Sequence, residues 1–226
     1  MPEGVERKAG RRQFVKDYVK SVFFAIFLAV LIRATLVQAY HIPSGSMEDT
    51  LLEGDYVLGD KVTFGTQIPD RLPILNLKLP SFRMPGFRNP QSGDLVIFEF
   101  PEDPSRDFIK RCVAVAGQTV EIREKTLYVD GVAYENPPGV KYLDGSIRPR
   151  KFSSRDNYGP YVVPPGTLFV MGDNRDNSYD SRFWGTVSLS KVKAHPLVIY
   201  FSTNPDSPLW NFFTKIRWGR LGKLVS

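Results

Sequence analysis

One cysteine and two histidines are all that 226 residues contain of either type. These scarcities remove a good deal of chemistry. Cys112 alone cannot close an internal disulfide, so oxidising surroundings are neither required nor excluded. A cysteine-rich zinc site is impossible. A histidine-based triad could draw only on His41 and His195, so a hydrolase built on this chain is expected to find its base elsewhere. Zinc-finger spacing and an aromatic RNA-binding signature are also missing, which argues against a nucleic-acid partner. The acidic loop M-G-D-N-R-D-N-S-Y-D-S-R-F-W-G (171–185) is not a calcium loop. Counted from Asp173, the third position is Arg175, the sixth is not glycine and the terminal glutamate is lacking; counted from Asp176, the glycine and glutamate are again missing. No metal or cofactor is expected.

What is present is a chain of ordinary globular composition, 42% hydrophobic and 24% charged, with one substantial core and an appendage. Eighteen glycines and eighteen prolines suggest many turns and short strands. The net charge of +6 is gathered mainly at the two ends, which suits a membrane surface. Residues 1–20 are basic, with Arg7, Lys8, Arg11, Arg12, Lys16 and Lys20 against Glu3, Glu6 and Asp17. Residues 21–42 follow as an apolar stretch weakened by Arg33 and Gln38. They read as a transmembrane anchor, with Arg33 snorkelling and Tyr40 among the headgroups. A cleaved secretory signal ending at Ala39 and a buried core helix are the alternatives. Residues 41–60 hold five acids and no lysine or arginine, so the positive-inside bias leaves the amino terminus in the cytoplasm and exports the remainder.

Residues 43–226 form the exported domain in this reading, and it is mainly β. Strands are expected at 55–62, 94–100, 107–116, 166–172 and 195–201, with a hairpin over 119–131 turning near Glu124–Lys125. No long amphipathic helical pattern separates them, which favours a folded antiparallel sheet or barrel over a βαβ architecture. Residues 65–92 and about 136–165 read as irregular insertions. The tail from Trp210 mixes aromatic and basic residues and fits either a membrane interface or a final element closing the core.

Three segments could carry chemistry. I-P-S-G-S-M-E-D-T-L (42–51) is a Pro–Gly–Ser turn that can expose a hydroxyl and bring backbone N–H groups near a substrate. Either Ser44 or Ser46 could be its nucleophile. In D-F-I-K-R-C-V-A-V-A-G-Q (107–118), strand alternation puts Lys110 on one face with Phe108, Cys112 and Ala114, and Arg111 on the other. A lysine on an apolar face loses hydration, its pKa falls, and it can act as a neutral base. The loop at 171–185 is rich in hydrogen-bonding groups and can pair Asp180 with Arg182 in support of a site.

In this order, and after a hydrophobic anchor, the blocks P-S-G-S-M-E-D-T-L, G-D-L-V-I-F, D-F-I-K-R-C-V-A-V-A-G-Q and G-D-N-R-D-N-S-Y-D-S-R-F-W-G closely resemble those of bacterial type I signal peptidases. The similarity runs from about residue 18 to the carboxy terminus. It implies a single-pass, monomeric enzyme of the bacterial cytoplasmic membrane, using a Ser–Lys dyad on signal-bearing preproteins. Ser46 matches the nucleophile and Lys110 the general base. Ser44 matches an oxyanion-hole donor, Ser178 the serine that orients the lysine, and Asp180 and Arg182 a supporting ion pair. Tyr40, Ile42, Pro43, Met47, Leu51, Phe108 and Ile109 match positions lining a groove for the Ala-x-Ala pattern. The resemblance also favours an uncleaved anchor. This chain departs from the family in having one span where some members have two, in lacking a disulfide that some carry, and in placing Asp49 where proline is common.

Overall fold

The computed structural model describes residues 3–65, 85–208 and 210–225. Its first element, α1, is a helix over Glu3–Thr35. From Val22 to Ile32 its apolar side chains are exposed all round, Phe23 at 76% and Phe27 at 60%, so no face of this segment packs on the rest of the chain. Among the described residues no helix is long and apolar enough to cross a membrane.

The apolar run read as one segment from 21 to 42 is in fact divided. The helix stops at Thr35, and Val37–His41 is strand β1, paired antiparallel with β2 (Asp55–Asp60) from Val37↔Asp60 to His41↔Tyr56. Val37 and Gln38 are half-buried and Tyr40 is buried against Ile97 and Ala194. Packing against the sheet decides this segment, which hydropathy alone reads as a continuation of the helix.

The strands form two antiparallel sheets. The larger contains β3 (Leu95–Phe100), β4 (Asp103–Val115), β9 (Thr167–Met171), β10 (Val187–Ser188) and β11 (Val192–Ser202), in the order β1-β2-β11-β3-β4-β9-β10. Among the described residues β1 and β10 are its two edges and do not pair with each other, so the sheet they bound is open. The smaller sheet contains β5 (Thr119–Arg123), β6 (Thr126–Val129), β7 (Val132–Ala133) and β8 (Tyr158–Val162), in the order β7-β6-β5-β8. Strand β8 lies inside the stretch read as irregular (about 136–165) and pairs with β5; its Gly-Pro pair masks its strand character. Of the other insertion, 65–92, residues 66–84 lie outside the described residues.

Strand β3 reads L-V-I-F-E-F with almost every position buried. A near-continuous apolar strand has both faces covered. On one side Val96 and Phe98 pack with Cys112, Leu168 and Val170, with Phe108 against them. On the other, Leu95 joins Ile42, Met47, Leu51 and Val57, with Ile109 at the margin. The register pairs Val96 with Lys110 and Leu95 with Arg111, so the alternation that turns half-buried Phe108 and buried Cys112 to this side carries Lys110 to their face. Strand β11 joins β2 to β3 and shifts register between Pro196 and Val198. Proline cannot donate to a ladder and is tolerated at such irregularities.

Candidate active site

The turn after β1 is closed at its base by two backbone bonds: the Ile42 N–H donates to the Asp55 carbonyl and the Gly54 N–H to the Ile42 carbonyl, each at 2.9 Å. Ser44 is extended, and Gly45–Met47 make one 3-10 turn. The Met47 side chain is buried in the core and fixes the turn from beneath. Asn174 fixes it from the side. Its N–H donates to the Ser46 carbonyl (3.2 Å), and its side-chain amide donates to the Gly45 carbonyl (3.1 Å) and to Glu48 Oε2 (3.1 Å). With its backbone held at three residues, Ser46 can turn its hydroxyl toward β4.

There it meets Lys110. The Lys110 Nζ lies 2.6 Å from Ser46 Oγ and the side chain is 3% exposed. The aromatic face of Phe108 is 5.4 Å away, and among the described residues no carboxylate is within ion-pair distance. Burial pushes the Lys110 pKa from 10.5 down to about 8; the more distant charges of Asp180 and Asp173 oppose the shift, and that of Arg182 adds to it. A fair share of Lys110 is therefore neutral near pH 7–8, and a neutral amine can accept the proton of a serine hydroxyl. The Ser44 hydroxyl is exposed and 3.5 Å from Ser46 Oγ, on the open side of the turn.

The loop after β9 supplies the floor. A side-chain carbon at Gly172 would fall 2.2 Å from Ser178 Oγ and 2.5 Å from the Ser46 carbonyl oxygen, so only glycine allows the Gly45–Met47 turn and Ser178 to come this close. The Ser178 hydroxyl is buried beside the Asp180 carboxyl, which it helps to hold ionised. Asp180 is fully buried. It accepts from the Gly172 N–H (3.0 Å) and from Arg182 through Nε and a terminal nitrogen (2.8 Å each). Burial alone would raise its pKa, but the Arg182 charge and these hydrogen bonds outweigh it and hold the carboxyl ionised. Arg182 in turn donates to the carbonyls of Arg155 (2.8 Å) and Arg175 (2.7 Å). The pair is thus satisfied on both sides, as a buried ion pair must be.

A second buried ion pair lies beneath the turn. Arg111 grips Asp173 through two bonds of 2.9 and 2.8 Å, and Thr50 donates to the same carboxylate (2.6 Å). This ties β4, the turn and the loop together at one point. The sequence carried a hint of it, since a guanidinium opposite Lys110 on an otherwise apolar strand needs a buried acid. Asp49, the departure from the family pattern, stands at φ 77. Proline is locked near −65°, so the turn follows a course here that proline would forbid. Lys141 holds it, 3.2 Å from both Glu48 and Asp49.

Of the residues matched to a substrate groove, Pro43 is exposed and Phe108 and Ile109 are half-buried. Tyr40 and Ile42 retain little surface. Met47 and Leu51 have 2% and 0% exposure. Both side chains are packed into the core beneath the turn.

A serine hydroxyl against a buried amine of lowered pKa, with backbone N–H groups nearby, marks the class of serine hydrolases that use an amine in place of imidazole. The family model for signal peptidase, peptidase S26, matches residues 15–201. Signal peptidase I of Pseudomonas aeruginosa is 37% identical over 205 residues, covering 83% of this chain and 69% of that protein. A probable signal peptidase I-1 of Synechocystis is 32% identical, over 94% of this chain and 90% of that one. The crystal structure of a signal peptidase I from Enterococcus faecalis is 28% identical and covers 48% of this chain and 97% of its own, with a TM-score of 0.38. The chain belongs to the signal peptidase family, peptidase S26, and is a serine peptidase.

Proposed function

We propose that this chain is a membrane-anchored endopeptidase that removes amino-terminal signal peptides from exported preproteins, with Ser46 as nucleophile and Lys110 as general base. The observation that carries this reading is the 2.6 Å contact between Lys110 Nζ and Ser46 Oγ at a buried position. Neutral Lys110 takes the Ser46 proton as the oxygen attacks the scissile carbonyl. The oxyanion is met by the Ser46 N–H and the Ser44 hydroxyl. The amine leaves with the proton from Lys110, and water then attacks the ester by the same route. Ser178, against Gly172, orients the lysine amine, and the Asp180–Arg182 pair keeps that loop in place. Substrate backbone pairs with strand edges near 40–43 and 107–109. The shallow apolar surface of Ile42, Pro43, Phe108 and Ile109 suits the small side chains of an Ala-x-Ala pattern.

The amino-terminal helix supports the anchor. Between Lys20 and Arg33 lie twelve residues without a charge, about 18 Å of helix at 1.5 Å per residue. The long side chains of Lys20 and Arg33, reaching outward to the two interfaces, extend this toward the ~30 Å hydrocarbon core. Basic residues precede the segment, so its start faces the cytoplasm and the β domain the exported side of a bacterial cytoplasmic membrane. The β domain then begins within a few residues of the lipid, where a membrane-bound signal peptide ends.

The test is incubation of the purified full chain, wild type and Ser46→Ala, with a signal-bearing preprotein, followed by sequencing of the product's amino terminus. Cleavage after a small residue by the wild type alone is expected. Equal cleavage by Ser46→Ala would overturn the reading.

A further inference from the structure

A cleft of about 350 Å³ opens beside the nucleophile turn. Gly45, Glu48, Glu53, Asn177, Asp206 and Arg217 line it. It reaches the site through Gly45, next to Ser46, and through Asn177, next to Ser178. It contains none of the apolar residues at 40–43 and 107–109.

The three carboxylates differ. Glu48 is committed to Asn174 and Lys141. Glu53 and Asp206 are exposed and, among the described residues, form no ion pair. The one guanidinium of the cleft, Arg217, donates to the Glu53 backbone carbonyl (2.8 Å). The cleft therefore presents more negative than positive charge beside Ser46.

A peptide crossing Ser46 has two limbs. If one lies on the apolar surface, the other must leave the dyad elsewhere, and this polar cleft adjoins it. We infer that the cleft receives the first residues of the mature protein, on the leaving-amine side of the scissile bond, and that Glu53 and Asp206 favour basic over acidic side chains there. This rests on the signal-peptide reading of the site and adds a determinant to its specificity. Acylation of Ser46 frees a neutral amine whose new hydrogen comes from Lys110; the amine takes a further proton from water to become ammonium, and this group too begins its exit in the cleft.

Three preproteins would test it, identical except for Lys, Gln or Asp at mature residues two to four, each cut by the full chain. Wild type is expected to cleave the Lys form about fivefold better than the Asp form in kcat/KM at low salt, the scale of two exposed charge contacts. The ratio should shrink toward one in 1 M salt. The double variant E53K/D206K should reverse the order, and E53Q/D206N, which adds no charge, should bring the ratio near one. An unchanged ratio in E53Q/D206N, with the Gln form still cut, would overturn the cleft and leave the peptidase standing. Failure of the wild type to cut any of the three would overturn both.

Discussion

Two lysines in this molecule occupy opposite surroundings. Lys110, on β4, is buried among Val96, Phe108 and Cys112, with a serine as its near neighbour and, among the described residues, no carboxylate in contact. Lys125, in the turn between β5 and β6, is bonded to Asp176 (2.9 and 3.0 Å) and to Asp144 (3.2 Å). Burial draws both pKa values down. At Lys110 it prevails; at Lys125 the two carboxylates outweigh it, and the pKa rises. In the proposed mechanism the same side chain is a base in one place, while in the other it is a strut. The difference lies in whether an acid is within reach, since desolvation alone favours the neutral form.

The strut matters because of what it holds. Asp176 also accepts from the Leu143 and Asp144 N–H groups, and Arg155 spans Asp144 and Asp156. The smaller sheet and the 141–156 segment are thereby fastened to the loop that carries Ser178, Asp180 and Arg182.

Exchanging both lysines for an apolar residue of similar length separates the two roles. Lys110→Met should lower kcat/KM for a preprotein by at least about a thousandfold, the scale for removing a base that works with its nucleophile. Its melting temperature should hold or rise, because a buried amine is replaced by an apolar group. Thermal unfolding and preprotein cleavage on the same sample check both. Next comes Asp180→Ala, which leaves Arg182 buried and unpaired. It should cost about 3–5 kcal/mol in denaturant unfolding and reduce activity mainly by reducing the folded fraction. Smallest is Lys125→Met, expected to cost about 1–2 kcal/mol while kcat/KM of the folded protein stays within about threefold. Loss of catalysis in Lys125→Met, or its retention in Lys110→Met, would erase the distinction.

Much of the larger sheet is legible in the sequence because its strands alternate or run apolar between turn residues. The hairpin turn is equally so: Glu124 and Lys125 take φ 48 and 71, where the pattern puts them. β1 is hidden because V-Q-A-Y-H follows an apolar helix without a break in hydropathy, and only its pairing with β2 makes it a strand. The first residues of β4, D-P-S-R, carry a proline and charges, yet Asp103 still pairs with Phe100 after a shift of register. At the site, alternation along β4 gives Lys110 its apolar surroundings. It cannot choose between Ser44 and Ser46; in the folded turn the hydroxyl beside the amine is that of Ser46. Long-range partners such as Arg111–Asp173 and Asn174 with Gly45 are invisible to local pattern, since they depend on how three distant segments meet.

The pH dependence of cleavage tests the role of Lys110 most directly. If neutral Lys110 is the base, log kcat/KM for a preprotein rises with unit slope below about pH 8 and levels above it. The same curve should persist in His195→Gln, where a side chain that meets the Leu95 carbonyl and the edge of the Phe64 ring is altered. A rate independent of pH from 6 to 9, or a transition that disappears in His195→Gln, would contradict the account.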